Sequence, residues 1–230
     1  MGTHIDIGHL INNIFSKNRM TRTGLVKKYT NFVKAMAICC GEGNCEIKNI
    51  LDIGANMGVY SYSFAFWFPN SFINSFEPVP GNYKLLKQHI DNCEFKDRIK
   101  CHRFGFYKEE KDVVFGIPSH RGDLDNTGLY TMGGEQCTQS GRVVLLSDWI
   151  QKQSVYPDLI KIDDEGVDFD ILNSSKDELL HVKWITVEAS DSCSDLLIKL
   201  GFVEDKKFRN IKGINFNRRT DSLWRNSNVN

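Results

Sequence analysis

The sequence predicts an α/β protein: a mostly parallel sheet with helices on both faces and an antiparallel element closing one side. Three observations carry this. From Ile47 onward, short apolar runs alternate with segments of helical apolar spacing. The first run, "NILDI", ends in an acid and passes through a glycine-spaced loop into such a helical segment. The tail, from "FVEDKKF" to "GINFNRR", reads as two antiparallel strands about a turn near Asn210 to Gly213.

Ahead of the alternation, residues 1–46 read as a helical extension. Ile5 to Phe15 and Leu25 to Ala37 have helix-like spacing and are joined by the basic link "SKNRMTRTG". Then "IKNILDI" is a strand, and "GVYSYSFAFWF" is a helix closed by Pro69. "SFINSFE" is a strand, "GNYKLLKQHIDNC" a helix with Tyr83, Leu86 and Ile90 on one face, and "RIKCHRF" a strand. Residues 111–146 have a different texture, rich in Gly, Asp, Asn and Ser with apolar residues at the ends, and read as a hairpin-like insertion with a long loop. The alternation resumes with "SDWIQKQ" (helix), "DLIKID" (strand), "VDFDILNSS" (helix), "KWITVEA" (strand) and "SDLLIKLG" (helix). No repeat or linker interrupts residues 47–230, which read as one domain.

Composition sets bounds. The 230 residues are 41% hydrophobic and 25% charged, ordinary for a soluble globular protein of one domain. Lys plus Arg is 29 and Asp plus Glu is 29, so the basic excess of a dedicated nucleic-acid binder is missing. The seven Cys form no CxxC pair, which suits free thiols in a reducing compartment. No secretory signal opens the chain, and the most apolar run, "YSYSFAFWF", is too short to span a bilayer. The expectation is a cytoplasmic protein with no membrane span.

In an open α/β sheet, ligands bind beyond the carboxyl ends of the strands, so the loop after the first strand is the first candidate site. A dinucleotide fingerprint laid on Gly54 requires glycine at 56 and glycine or alanine at 59, where the chain has Asn56 and Val59. No Walker A lysine follows either. What remains is "DIGANMG", with Gly54, Gly58 and an Asn that tolerates left-handed backbone. Such a turn suits an adenosine with a small zwitterionic end; read alone, it is equally a tight strand-to-helix connection. Glu77 sharpens it. The acid closes the second apolar run 25 residues after Asp52, near the roughly 20 expected of a carboxylate that accepts from ribose hydroxyls.

"ILDIGANMGVYS", "SFEPVPGNYKLLKQHI", "NTGLY", "VVLLSDWI" and "PDLIKIDDEGVDFDIL", in this order, resemble the FkbM-type S-adenosylmethionine-dependent methyltransferases. The resemblance covers about residues 49–202. It implies a Rossmann-like class I methyltransferase fold, a seven-stranded sheet with an antiparallel hairpin at one edge, over 47–230. It implies methyl transfer from S-adenosylmethionine, leaving S-adenosylhomocysteine, to an oxygen of a sugar, glycan or glycosylated metabolite. By position, Asp52, Gly54, Asn56 and Gly58 would line the methionine moiety, Glu77 the ribose and Phe106 the adenine pocket. The chain departs from the pattern at Asp164, where an apolar residue is usual, and at "VEAS", where a His often closes the strand. Both departures fall on the acceptor side.

Acids clustered at strand ends repel one another and call for a base, a metal or a polyhydroxyl ligand. Asp163, Asp164 and Glu165 end "DLIKID", and Glu188 ends the strand expected beside it. A sugar hydroxyl is a weak nucleophile, so Glu165 or Asp163 is the expected general base and Glu188 the residue orienting the acceptor. The competing reading makes Asp163 or Glu165 a cap of the following helix. A divalent metal on Asp163 and Glu188 is the less favoured alternative, since no His joins them at a readable spacing. Asp164, Asn126 and Tyr130 are the expected acceptor contacts, the last two from a loop over 119–141 that also carries His120, Arg121, Asp123, Asp125 and Gln136. Two further functions stay open: an RNA ribose 2′-O-methyltransferase, and a non-catalytic domain that has kept only the fold.

Overall fold

The computed structural model describes residues 23–42, 45–119, 130–153, 155–164, 166–188, 190–211 and 221–229, with residues 23–28 by backbone alone. The predicted helix over Ile5 to Phe15 lies outside these residues. Helix α1 (Thr23–Glu42) runs past the expected end at Ala37, because Cys39 and Cys40 continue the buried stripe of Phe32, Val33, Ala35 and Met36.

Strand β1 (Asn49–Ile53), helix α2 (Val59–Trp67), β2 (Phe72–Phe76), α3 (Pro80–Asp91) and β3 (Ile99–His102) follow in alternation. β4 (Gly105–Phe106), β5 (Lys111–Ile117), β6 (Thr131–Met132) and β7 (Gln136–Val144) come next. Then come α4 (Leu146–Gln151), β8 (Leu159–Ile162), α5 (Asp168–Asn173), α6 (Lys176–Leu179), β9 (Trp184–Glu188), α7 (Asp191–Lys199), β10 (Phe202–Glu204) and β11 (Asp221–Asn226).

Seven strands form one sheet in the order β3-β2-β1-β8-β9-β11-β10. All neighbouring pairs from β3 to β9 are parallel, while β11 is antiparallel to both β9 and β10. The chain order reverses between β1 and β8, which opens the crevice where α/β proteins hold ligands. Burial on both faces explains the continuous apolar runs. Ile50, Leu159 and Leu223 pack on one face with α1, α2 and α3, and Leu51, Ile160 and Trp224 on the other with α4 to α7.

Among the described residues β10 pairs with "DSLWRN", in the register Phe202↔Asn226; "GINFNRR", the expected partner, lies outside the described residues. The polar ends of this strand hid it in the sequence, while its centre buries Leu223 and Trp224 on opposite faces. The strands β4, β5, β6 and β7 build a second sheet in the order β4-β7-β5-β6, in which β5 and β7 pair antiparallel. A latch fixes it to the main body: Gly81 N–H at the start of α3 donates to Gln139 Oε1 at 2.7 Å, and Gln139 Nε2 donates to the Tyr130 hydroxyl at 2.9 Å.

Candidate cofactor and acceptor site

The turn between β1 and α2 is built from three left-handed residues, Gly54 (φ 71°), Asn56 (φ 51°) and Gly58 (φ 95°). Gly54 has no room for a side chain. A Cβ there would stand 2.1 Å from the Asp163 carbonyl oxygen, at the end of the neighbouring strand β8. Gly58 meets Leu86 of α3, whose Cδ1 would be 2.7 Å from an added Cβ. The turn's polar groups are fixed from several sides. Ala55 N–H donates to Phe76 O at 2.9 Å and Gly58 N–H to Ala55 O at 2.9 Å. His89 Nδ1 lies 2.9 Å from Met57 O, and Lys161 Nζ donates to Ile53 O at 3.0 Å and Gly54 O at 2.8 Å.

Glu77 is 4% exposed, at the end of β2 beside this turn. Its Oε2 accepts from Asn56 N–H at 2.8 Å and its Oε1 from Val79 N–H at 2.9 Å. Burial pushes its pKa up to about 7, against the pull of these donors, Lys161 and Asn82. A carboxylate keeps lone pairs beyond two backbone donors, so it can still accept from a vicinal diol.

Asp52 was expected to line the methionine moiety. It is fully buried, accepts from Ser61 Oγ at 2.6 Å, and lies 3.1 Å from Lys161 Nζ. Ser75 Oγ in turn donates to Ser61 Oγ at 2.8 Å. Asp52 is thus held between Ser61 of α2 and Lys161 of β8. Phe106, the expected adenine contact, is also fully buried, with ring centroids 4.7 Å from Phe76 and 6.3 Å from Trp149. It still lines a small cavity with Phe115, Tyr130, Met132, Val143, Asp164 and Val167. The structure thus gathers Phe106, Asp164 and Tyr130 from β4, the end of β8 and the insertion.

At the strand ends, Asp163 follows Ile162, which pairs with Val187 just before Glu188. The two acids therefore leave neighbouring parallel strands at one level. Asp163 Oδ2 is 3.9 Å from Lys161 Nζ, and its side chain is 38% exposed. Glu188 is half-buried and lies across from Asp221 of β11. Burial pushes the Asp164 carboxyl well above its usual range, with Glu77 and Asp168 adding to the shift.

Of the two acids in the competing cap reading, only Asp163 is described, and it is not the cap residue of α5. The Val167 cap position has no side-chain bond, and Asp168 Oδ1 instead accepts from Asp164 N–H at 2.9 Å. Burial raises Asp168 to about 6. Glu165 and Asn126 lie outside the described residues. Among the described residues, no group of three or more His, Cys, Asp or Glu could hold a metal ion, and no helix is long and apolar enough to cross a membrane.

Lys161 is the site residue that the motif reading missed. A lysine within the apolar run "LIKI" signals a buried charge that needs a carboxylate, and Asp52, at the matching position of β1, supplies it.

No family model matches the chain, and no curated protein sequence matches it. Among solved structures, the methyltransferase FkbM from Methylobacillus flagellatus KT aligns with a TM-score of 0.50 at 16% identity, over 78% of this chain and 44% of that one. The chain therefore spans less than half the length of that protein. Precorrin-6y C5,15-methyltransferase from Geobacter metallireducens GS-15 aligns at 0.48 and 13% identity, over 82% and 87% of the two chains. The methyltransferase domain of METTL16 aligns at 0.49 and 12%, over 88% and 67%. The chain has the Rossmann-like class I methyltransferase fold.

Proposed function

We propose that the chain is an S-adenosylmethionine-dependent O-methyltransferase of FkbM type, with residues 47–230 as its catalytic domain and a hydroxyl of a sugar, glycan or glycosylated metabolite as acceptor. The observation that carries the cofactor reading is the buried Glu77 carboxylate fixed against the left-handed Gly54–Gly58 turn. The donor set fits the group. Glu77 would accept from the ribose hydroxyls, the turn would border the methionine end, and the cavity with Phe106 and Asp164 would border the base. When bound, S-adenosylmethionine supplies an electrophilic methyl group on a sulfonium.

The remaining work is positioning and proton acceptance. Asp163 is partly exposed beside Glu188, so its carboxylate can take the proton from an acceptor hydroxyl, with Glu188 orienting that hydroxyl. Glu165 remains the alternative base on sequence grounds. Tyr130 and Asn126 on the 111–146 insertion would close the acceptor side. RNA as acceptor is disfavoured by the balanced charge, and by a Lys161 committed to Asp52 and two carbonyls. Mass spectrometry of methyl transfer to a panel of free sugars, glycans and RNA tests the assignment. Labelled sugar hydroxyls support it, labelled RNA alone would replace it, and cofactor binding without transfer to any acceptor would favour a non-catalytic domain.

A further inference from the structure

Lys161 is 3% exposed and sits in the middle strand of the switch point. Its ammonium reaches the carbonyls of Ile53 and Gly54, Asp52 Oδ1 at 3.1 Å and Asp163 Oδ2 at 3.9 Å, and it lies 4.8 Å from the centroid of the Tyr60 ring. It donates to one carbonyl of the strand and one of the turn, and it forms an ion pair with Asp52. Acids gather around it: Asp163 and Asp164 just after β8, Asp168 on α5, Glu77 just after β2 and Asp221 on β11.

We propose that Lys161 is a positioning residue of the cofactor site: its ammonium clamps the carbonyl edge of the Gly54 turn and supplies the buried positive charge that balances Glu77 and the neighbouring carboxylates. This rests on the reading of the turn as an S-adenosylmethionine site. Glu77 adds to the upward shift of Asp164, while Asn56 N–H from the turn, Val79 N–H just before α3 and Asn82 on α3 face Glu77. With Lys161 present, burial leaves Glu77 at about 7, ionised enough near neutrality to accept from ribose hydroxyls. Without that ammonium, only the hydrogen-bond donors Val79 N–H, Asn56 N–H and Asn82 oppose the effect of burial. The carboxyl then keeps its proton into more alkaline solution.

The test is calorimetric binding of S-adenosylhomocysteine to the full chain from about pH 6 to about pH 9, for wild type, Lys161→Arg, Lys161→Met and Glu77→Gln. Wild-type affinity should fall as pH drops through about 7. Lys161→Met should move that fall to higher pH. Lys161→Arg, which keeps the charge, should stay nearer wild type. Glu77→Gln should flatten the dependence. If Lys161→Met does not fold, the double variant Asp52→Asn/Lys161→Met removes the ion pair as a unit and takes its place. Binding weakened by one factor at every pH overturns the charge role while leaving the cofactor site standing. A wild-type chain that binds at no pH overturns both readings.

Discussion

The backbone amide of Asn56 donates to Glu77 Oε2 at 2.8 Å, tying the turn after β1 to the acid that ends β2. The left-handed backbone at Asn56 aims that N–H across the crevice. One bond thus sets the distance between the two elements expected to hold the methionine end and the ribose of the cofactor.

Glu77→Gln should lower cofactor affinity at least about tenfold, because an amide presents one acceptor oxygen where the carboxylate presents two. It should also change the pH dependence of stability. Burial holds the folded carboxyl at about 7, above the value near 4.5 of an unfolded chain, so between these values the native state binds the extra proton. Stability therefore falls as pH rises through that window, and the variant escapes the fall by on the order of 3 kcal/mol. Denaturant melts of both proteins at about pH 4 and pH 8 check the difference, in which the histidine contributions common to both cancel.

Gly54→Ala should destabilise the chain by at least about 3 kcal/mol, since a Cβ would meet the Asp163 carbonyl and φ is positive. Gly133→Ala shares the positive φ (78°) but meets nothing within 4 Å, so strain alone should cost about 1 kcal/mol. Urea unfolding of the pair separates collision from strain; equal losses would show that Gly54 is not a contact point between β1 and β8.

Asp163→Asn, Glu165→Gln and Glu188→Gln keep side-chain size while removing proton acceptance. The variant that removes the base should lose roughly a hundredfold to ten-thousandfold in turnover with cofactor affinity little changed. A chelator should leave wild-type turnover intact. Loss of activity to a chelator, restored by Mg²⁺, would assign the acids to a metal instead.

The sheet was legible because strands buried on both faces write themselves as apolar runs, and the turn because Gly54 and Gly58 punctuate one of them. Residue type was a poorer guide to where a side chain points. Asp52 and Phe106 belong to the motif by position, while their neighbours, Lys161 for Asp52 and Phe76 for Phe106, come from other strands. The Asp52–Lys161 pair is a contact between strands 109 residues apart, which no local pattern encodes. The backbone tie at the start of α5 was hidden for a similar reason. Asp168 accepts from the backbone of Asp164, so the acid that ties down the start of α5 is the first residue of the helix itself.

The central claim, an S-adenosylmethionine site built on the Gly54 turn and Glu77, is tested most directly by titration calorimetry of the wild-type chain and Glu77→Ala with S-adenosylhomocysteine. The account predicts one molecule bound per chain with micromolar-range affinity in wild type, binding lost in Glu77→Ala, and no heat from nicotinamide dinucleotides with either protein. No binding by wild type, or equal binding by Glu77→Ala, would contradict it.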